Sequence, residues 1–178
     1  MPSMTYRNRI RLVSLIFFLW LISISAGLFF FGNQNYGIFD SAGMWYQHDA
    51  SQFSITQLGI DEIAGTQVVH VRQEACPCNK LTDRHKEAFS RLYHLPDAVQ
   101  FEREMLDIHR TQFRLPATPA ILIFRAGKLI YAGPYSSGPM CSGSNSFIAP
   151  IIRDEMILKG AWLNGEVNTC RCVVNSTS

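Results

Sequence analysis

Residues 12–32 carry no charged side chain, and no other stretch limits the chain so tightly. The run holds Leu15-Ile16-Phe17-Phe18-Leu19-Trp20-Leu21-Ile22 and Leu28-Phe29-Phe30-Phe31. At the helical rise its length spans about 30 Å, the thickness of a bilayer's hydrocarbon core. Backbone groups find no water there, so a helix is the state they adopt. Ser23-Ile24-Ser25-Ala26 offers small residues for signal cleavage. A cleaved signal has a shorter apolar region, about 7–15 residues. Cleavage would also leave Leu28 to Phe31 at the start of the mature chain. An uncleaved anchor is the better reading.

Arg7, Arg9 and Arg11 precede the span, with no acidic residue among residues 1–11. The positive-inside rule holds that end in the cytoplasm. The expectation is a single-pass protein of the inner (cytoplasmic) membrane with its C-terminal domain in the periplasm. The chain divides into a basic N-terminus (1–11), a transmembrane anchor (12–32), a connector (33–59), a folded domain (60–160) and a cysteine-containing tail (161–178). The connector mixes Tyr36, Phe39, Trp45, Tyr46 and Phe53 with polar residues, as a segment partly packed on the domain would. Net charge is +2, and the three N-terminal arginines account for more than that. The near-neutral remainder has no electrostatic footprint for nucleic acid.

Cys76, Cys78, Cys141, Cys170 and Cys172 are the five cysteines, four of them in two Cys-x-Cys motifs. Outside the cytoplasm such pairs read as disulfides; inside it they would read as metal ligands or catalytic thiols. Their connectivity does not follow from sequence.

Thr66 to Arg72 is rich in β-branched residues and reads as a buried strand. Ala75-Cys76-Pro77-Cys78-Asn79 follows it. Leu81, Ala88, Phe89, Leu92 and Tyr93 then recur at near-helical spacing. Val99 to Phe101 reads as a second strand and Met105 to Phe113 as a short helix. Ala120 to Phe124 is the clearest strand, and Ala126-Gly127 turns it back into Lys128 to Ala132. Phe147 to Leu158 reads as a last amphipathic helix, with Ile148, Ile151, Ile152, Met156 and Ile157 on its apolar side. The order implies an α/β layer structure.

A strand that delivers a cysteine pair to a helix, then Leu115-Pro116-Ala117-Thr118-Pro119 before a strand and hairpin, resembles the thioredoxin-like superfamily. The chain also resembles a membrane-anchored thioredoxin-like family of Gram-negative bacteria. The resemblance covers roughly residues 60–158. It implies a central mixed sheet flanked by helices, a cis Pro119, and a substrate groove shaped by Thr118 and Pro119. It also implies that Cys76 attacks and Cys78 resolves, with no organic cofactor. Clients would be cysteine-containing proteins, with a further redox partner to recycle the pair. The usual motif is Cys-x-x-Cys, so Cys-Pro-Cys is a departure. One intervening residue makes a smaller, more strained ring, and strained disulfides are better oxidants.

Position supports Cys76 as the nucleophile. A helix N-terminus presents unpaired N–H groups and the positive end of the macrodipole, both of which favour thiolate. Cys141 would meet Cys76 or Cys78, bond to the C-terminal pair, or stay free. Cys170 and Cys172 would form a relay pair, a structural disulfide, or further ligands. Two Cys-x-Cys motifs together offer four thiolates to zinc or copper(I). His85, seven residues after Cys78, reads as a locally bonded histidine. Three functions therefore compete: thiol–disulfide exchange, metal binding or delivery, and a non-catalytic scaffold. Asn175-Ser176-Thr177 fits a glycosylation pattern of low specificity.

Overall fold

The computed structural model describes residues 6–33, 35–46, 50–141 and 143–174; the Asn175 pattern lies outside them. The chain forms two units, residues 1–34 and 35–178. In the first, helix α1 (Tyr6–Asn33) runs through the uncharged stretch. Its segment Tyr6–Phe30 has a mean hydropathy of 2.4 and is long and apolar enough to cross a membrane. Its apolar side chains are exposed within the chain, so no protein core accounts for them.

The second unit is a mixed α/β structure. Its first elements are β1 (Tyr36–Ile38), β2 (Thr66–Arg72), α2 (Asn79–Leu92), β3 (Gln100–Glu104) and α3 (Met105–His109). Then come β4 (Ala117–Thr118), β5 (Ala120–Arg125), β6 (Lys128–Gly133) and α4 (Ile148–Ile152). Short strands β7 (Trp162–Leu163), β8 (Asn168–Cys170) and β9 (Cys172–Val173) close the chain. The main sheet has five strands in the order β3-β2-β5-β6-β7. β2 runs parallel to β3 and antiparallel to β5; β5 and β6 are antiparallel; β6 and β7 are parallel. Two smaller sheets, β1-β8 and β4-β9, join the tail to earlier segments.

β2 and β5 read as unbroken apolar runs because both sheet faces are covered. Successive side chains point to opposite faces. Ala120, Leu122 and Phe124 of β5 join one core, and Ile121 and Ile123 the other. The first core also takes Val69, Val71, Ile108, Phe113 and Leu115. The second takes Val68, Phe89 of α2, Tyr131, Tyr135, and Ile148 and Ile151 of α4. The segment after the anchor does more than connect. Phe39, Trp45, Phe53, Ile55 and Leu58 are all buried in the first core. Phe53 stacks on Phe113 at 4.6 Å between ring centroids. Each such aromatic or aliphatic side chain contributes roughly 1.5–3 kcal/mol on burial.

Two helices are shorter than their sequence periodicity predicts. α3 stops at His109 rather than Phe113. Thr111 Oγ1 donates to Ile108 O and accepts from Phe113 N, and His109 Nε2 accepts from Leu115 N, so side chains take the backbone groups that a longer helix would use. α4 covers Ile148–Ile152 rather than 147–158. Asp154 sits at φ 57°, in the left-handed region that ends a helix. Pro150 O then accepts from both Glu155 N and Met156 N. Ile157 is left 85% exposed, off the expected apolar face.

Candidate functional site

The chain leaves β2 through Gln73, Glu74 and Ala75, and Ala75 takes the left-handed backbone at φ 61°. A turn follows, in which Cys76 N donates to Gln73 O and Asn79 N to Cys76 O. α2 begins at Asn79 with Cys78 at its N-cap, so Cys76 stands two residues ahead of the cap. No acidic side chain lies in the first turn of α2 to offset the positive end of the helix. Asn79 Nδ2 donates to Gln73 O and braces the turn.

The two sulfurs of this motif do not pair with each other. Cys76 is cross-linked to Cys172 and Cys78 to Cys170, with Cα–Cα distances of 6.0 and 5.7 Å. The first cysteine of one motif thus meets the last of the other, as two antiparallel segments require. Pairing in the small sheets delivers the tail cysteines. β8 lies against β1 with Cys170 opposite Tyr36, and β9 lies against β4 with Cys172 opposite Thr118. Arg171, between them, donates its backbone N–H to Asn35 O. Its guanidinium packs on Gly37, where a Cβ would lie 2.9 Å from Nη2 and push the guanidinium aside. The sulfurs of Cys76, Cys78 and Cys172 all lie within 4.8 Å of one another.

Thr118 and Pro119 stand beside this cluster. The peptide bond between them is cis, as expected of Pro119. Cys76 Sγ is 3.8 Å from Thr118 O. A disulfide sulfur carries no proton, so this is a contact rather than a hydrogen bond. Thr118 Oγ1 donates to Gln73 Oε1 at 3.2 Å, which ties the proline segment to the cysteine turn. Both Thr118 and Pro119 are buried.

Cys141 remains a thiol and is buried. Burial pushes its pKa up, and the neighbouring Thr169, Ser136 and Cys170 backbone pull it partly back. The thiol thus lies beside the tail strand that carries Cys170. His85 is buried one helix away, with Nδ1 3.3 Å from Cys141 O and Nε2 3.1 Å from Ser146 Oγ. It holds the Cys141 loop. Burial lowers its pKa, so it is neutral at pH 7.

Sequence reasoning brought out all five cysteines, Thr118 and Pro119. It missed Gln73, Asn35, Gly37 and Arg171, which hold the cluster through single backbone and side-chain contacts that leave no sequence pattern. The signal for the tail was the repetition of Cys-x-Cys itself, since equal spacing lets two extended segments cross-link at both positions.

A family model described as a domain of unknown function (DUF6436) matches residues 45–174. The match spans both Cys-x-Cys motifs and the Thr118–Pro119 segment. No curated protein and no solved structure matches the chain.

Proposed function

The chain belongs to the DUF6436 family, and we propose that it is a membrane-anchored thiol–disulfide oxidoreductase of thioredoxin-like fold, working on cysteine-containing proteins outside the cytoplasm. The fold reading is supported by the strand order and directions around β2 and by the cysteine turn that opens α2. It is supported as well by the proline segment that packs on that turn. The placement reading is supported by the apolar α1 and by the arginines that open it. One observation carries the activity. Four cysteines of two distant motifs meet at a helix N-terminus as two adjacent cross-links, at the place where the groove of such a fold would hold a client.

Cys76 is the attacking sulfur in this reading. Once reduced, its thiolate is favoured by the helix N-terminus ahead of it. A neighbouring cysteine then displaces the client from the mixed disulfide. Thr118 and Pro119 shape the groove, and a second thiol protein outside the cytoplasm resets the site. No organic cofactor enters these steps. The test is turnover: full-length protein in detergent micelles should catalyse exchange between a dithiol and a disulfide-bonded protein. Cys76→Ser should lower the rate by ~100-fold or more, the loss of a nucleophile. A rate equal to that of the unaltered chain contradicts the assignment.

A second reading rests on the close approach of three sulfurs. When reduced, Cys76, Cys78 and Cys172, with Cys170 beside them, offer soft ligands for copper(I) or zinc. Stoichiometric metal after anaerobic purification, lost in a Cys76→Ser/Cys78→Ser variant, would favour this over exchange.

A further inference from the structure

We propose that Cys172, carried on the tail strand β9, is the resolving cysteine of Cys76, and that β9 is a tethered stand-in for the client. This rests on the exchange reading above and assigns the partner sulfur within it.

β4 is only two residues long and, among the described residues, pairs with β9 alone. Thr118 faces Cys172, Ala117 faces Val173, and Val174 N donates to Pro116 O at 3.1 Å. The backbone of residues 116–118 is thus an edge that accepts one extended, antiparallel segment. The register that pairs Cys172 with Thr118 sets its sulfur on Cys76. Val174, two residues on, packs against the first core, while Val173 is 45% exposed. The edge therefore takes an extended Cys-x-aliphatic segment, and the chain's own tail is one. An external client with this pattern would fit the same edge once the tail leaves.

The tail is built to leave in part. Cys76 is 6% exposed and Cys78 fully buried, so neither sulfur meets a client while β9 is seated. β9 is a two-residue strand, held by its pairing with the two residues of β4 and by the Val174 N to Pro116 O hydrogen bond. β8, by contrast, stays paired with β1, and Cys170 stays linked to Cys78. The β1–β8 pairing, which that second cross-link reinforces, keeps the Cys172 thiol close to Cys76 at high effective concentration.

The cycle balances. A thiolate of a reducing dithiol attacks Cys172 Sγ, and Cys76 leaves as thiolate. The second thiol of the reductant closes its own disulfide and frees Cys172, having given up two electrons. Cys76 thiolate attacks a client disulfide, bonds one client sulfur and expels the other as thiolate. Cys172 thiolate then attacks Cys76 Sγ, restores the Cys76–Cys172 bond and releases the second client thiolate. The client gains the two electrons. Run backward, the same steps oxidise a client dithiol.

The test uses full-length protein in micelles, reduced with dithiothreitol and freed of it. The probe is the peptide Asn-Thr-Ser-Arg-Cys-Val-Val, with its cysteine held as a mixed disulfide with thionitrobenzoate. Cys172→Ser should accumulate a peptide adduct on Cys76, read by intact mass, at least tenfold above the unaltered chain. A Cys78→Ser/Cys170→Ser variant should show no such accumulation and should release free peptide. The reverse pattern, with accumulation only when Cys78 is lost, overturns the proposal and assigns resolution to Cys78. Reaction without accumulation in Cys172→Ser overturns it too. No adduct and no thionitrobenzoate release in any variant overturns the exchange reading itself. Val174→Asp keeps all five cysteines and loosens the strand. It should speed peptide capture several-fold in the reduced chain, and an unchanged rate contradicts the stand-in role of β9.

Discussion

Cys141 and His70 show what burial does to single groups in this domain. The Cys141 thiol has a raised pKa because its charged form is poorly solvated, so at pH 7 it stays protonated. Its alkylation in the folded protein should be ~10-fold slower than that of free cysteine, and should reach the free rate on unfolding. Timed iodoacetamide labelling with mass readout checks this. His70 is buried on β2 between two partners. Its Nε2–H donates to Gln100 Oε1, because Gln100 Nε2 is already donating to Leu95 O; Nδ1 then accepts from the Tyr135 hydroxyl at 2.8 Å. Burial lowers its pKa to about 4. Between pH 6.5 and about 4 the unfolded chain therefore binds a proton that the folded chain refuses. Stability should fall as pH drops through that window and level off below it, by no more than roughly 3 kcal/mol from this group. Denaturant unfolding across pH measures the slope. His70→Gln should flatten it, and an unchanged slope would remove His70 as its source.

Among the elements, the two cross-links are not independent. Each closes a long loop, with sequence separations of 96 and 92 residues. Once one is formed, the other closes only the few residues between neighbouring cysteines. Loop entropy then assigns about 5 kcal/mol to the first and about 2 kcal/mol to the second. Losing either pair alone (Cys76→Ser/Cys172→Ser or Cys78→Ser/Cys170→Ser) should therefore cost on the order of 2 kcal/mol, and losing both far more than twice that. Thermal melts of the three variants decide it, and additive losses would contradict the shared loop. A site arranged in this way can open one bond for chemistry while the other preserves the fold. The same elements show how far the residues alone could be read. β2, α2, β5 and β6 were legible because apolar runs and near-helical spacing recur over five or more residues. α4 was overextended because Met156 and Ile157 continue its apolar period past Asp154, whose left-handed backbone leaves no signature in hydrophobicity. β1, β8 and β9 were missed because strands of two or three residues have no measurable alternation. The cysteine turn and the proline segment could be found from the residues; the tail that covers them needed three-dimensional pairing.

On the scale of the whole molecule, a single apolar helix precedes a cross-linked α/β unit, and the proposed function puts that unit outside the cytoplasm. An impermeant maleimide, added to intact spheroplasts after reduction with a membrane-permeant phosphine, should label the four clustered cysteines; labelling only after lysis would put the domain on the other side. Whether the clustered sulfurs exchange electrons with clients is decided by their redox equilibrium. Full-length protein is brought to equilibrium in dithiol buffers of graded potential, quenched with acid, alkylated and weighed. The Cys76–Cys172 cross-link should open between about −120 and −270 mV, the range of catalytic pairs, with Cys78–Cys170 opening at lower potential. A Cys76–Cys172 bond that stays closed below about −300 mV would be structural, and would rule out exchange at this site.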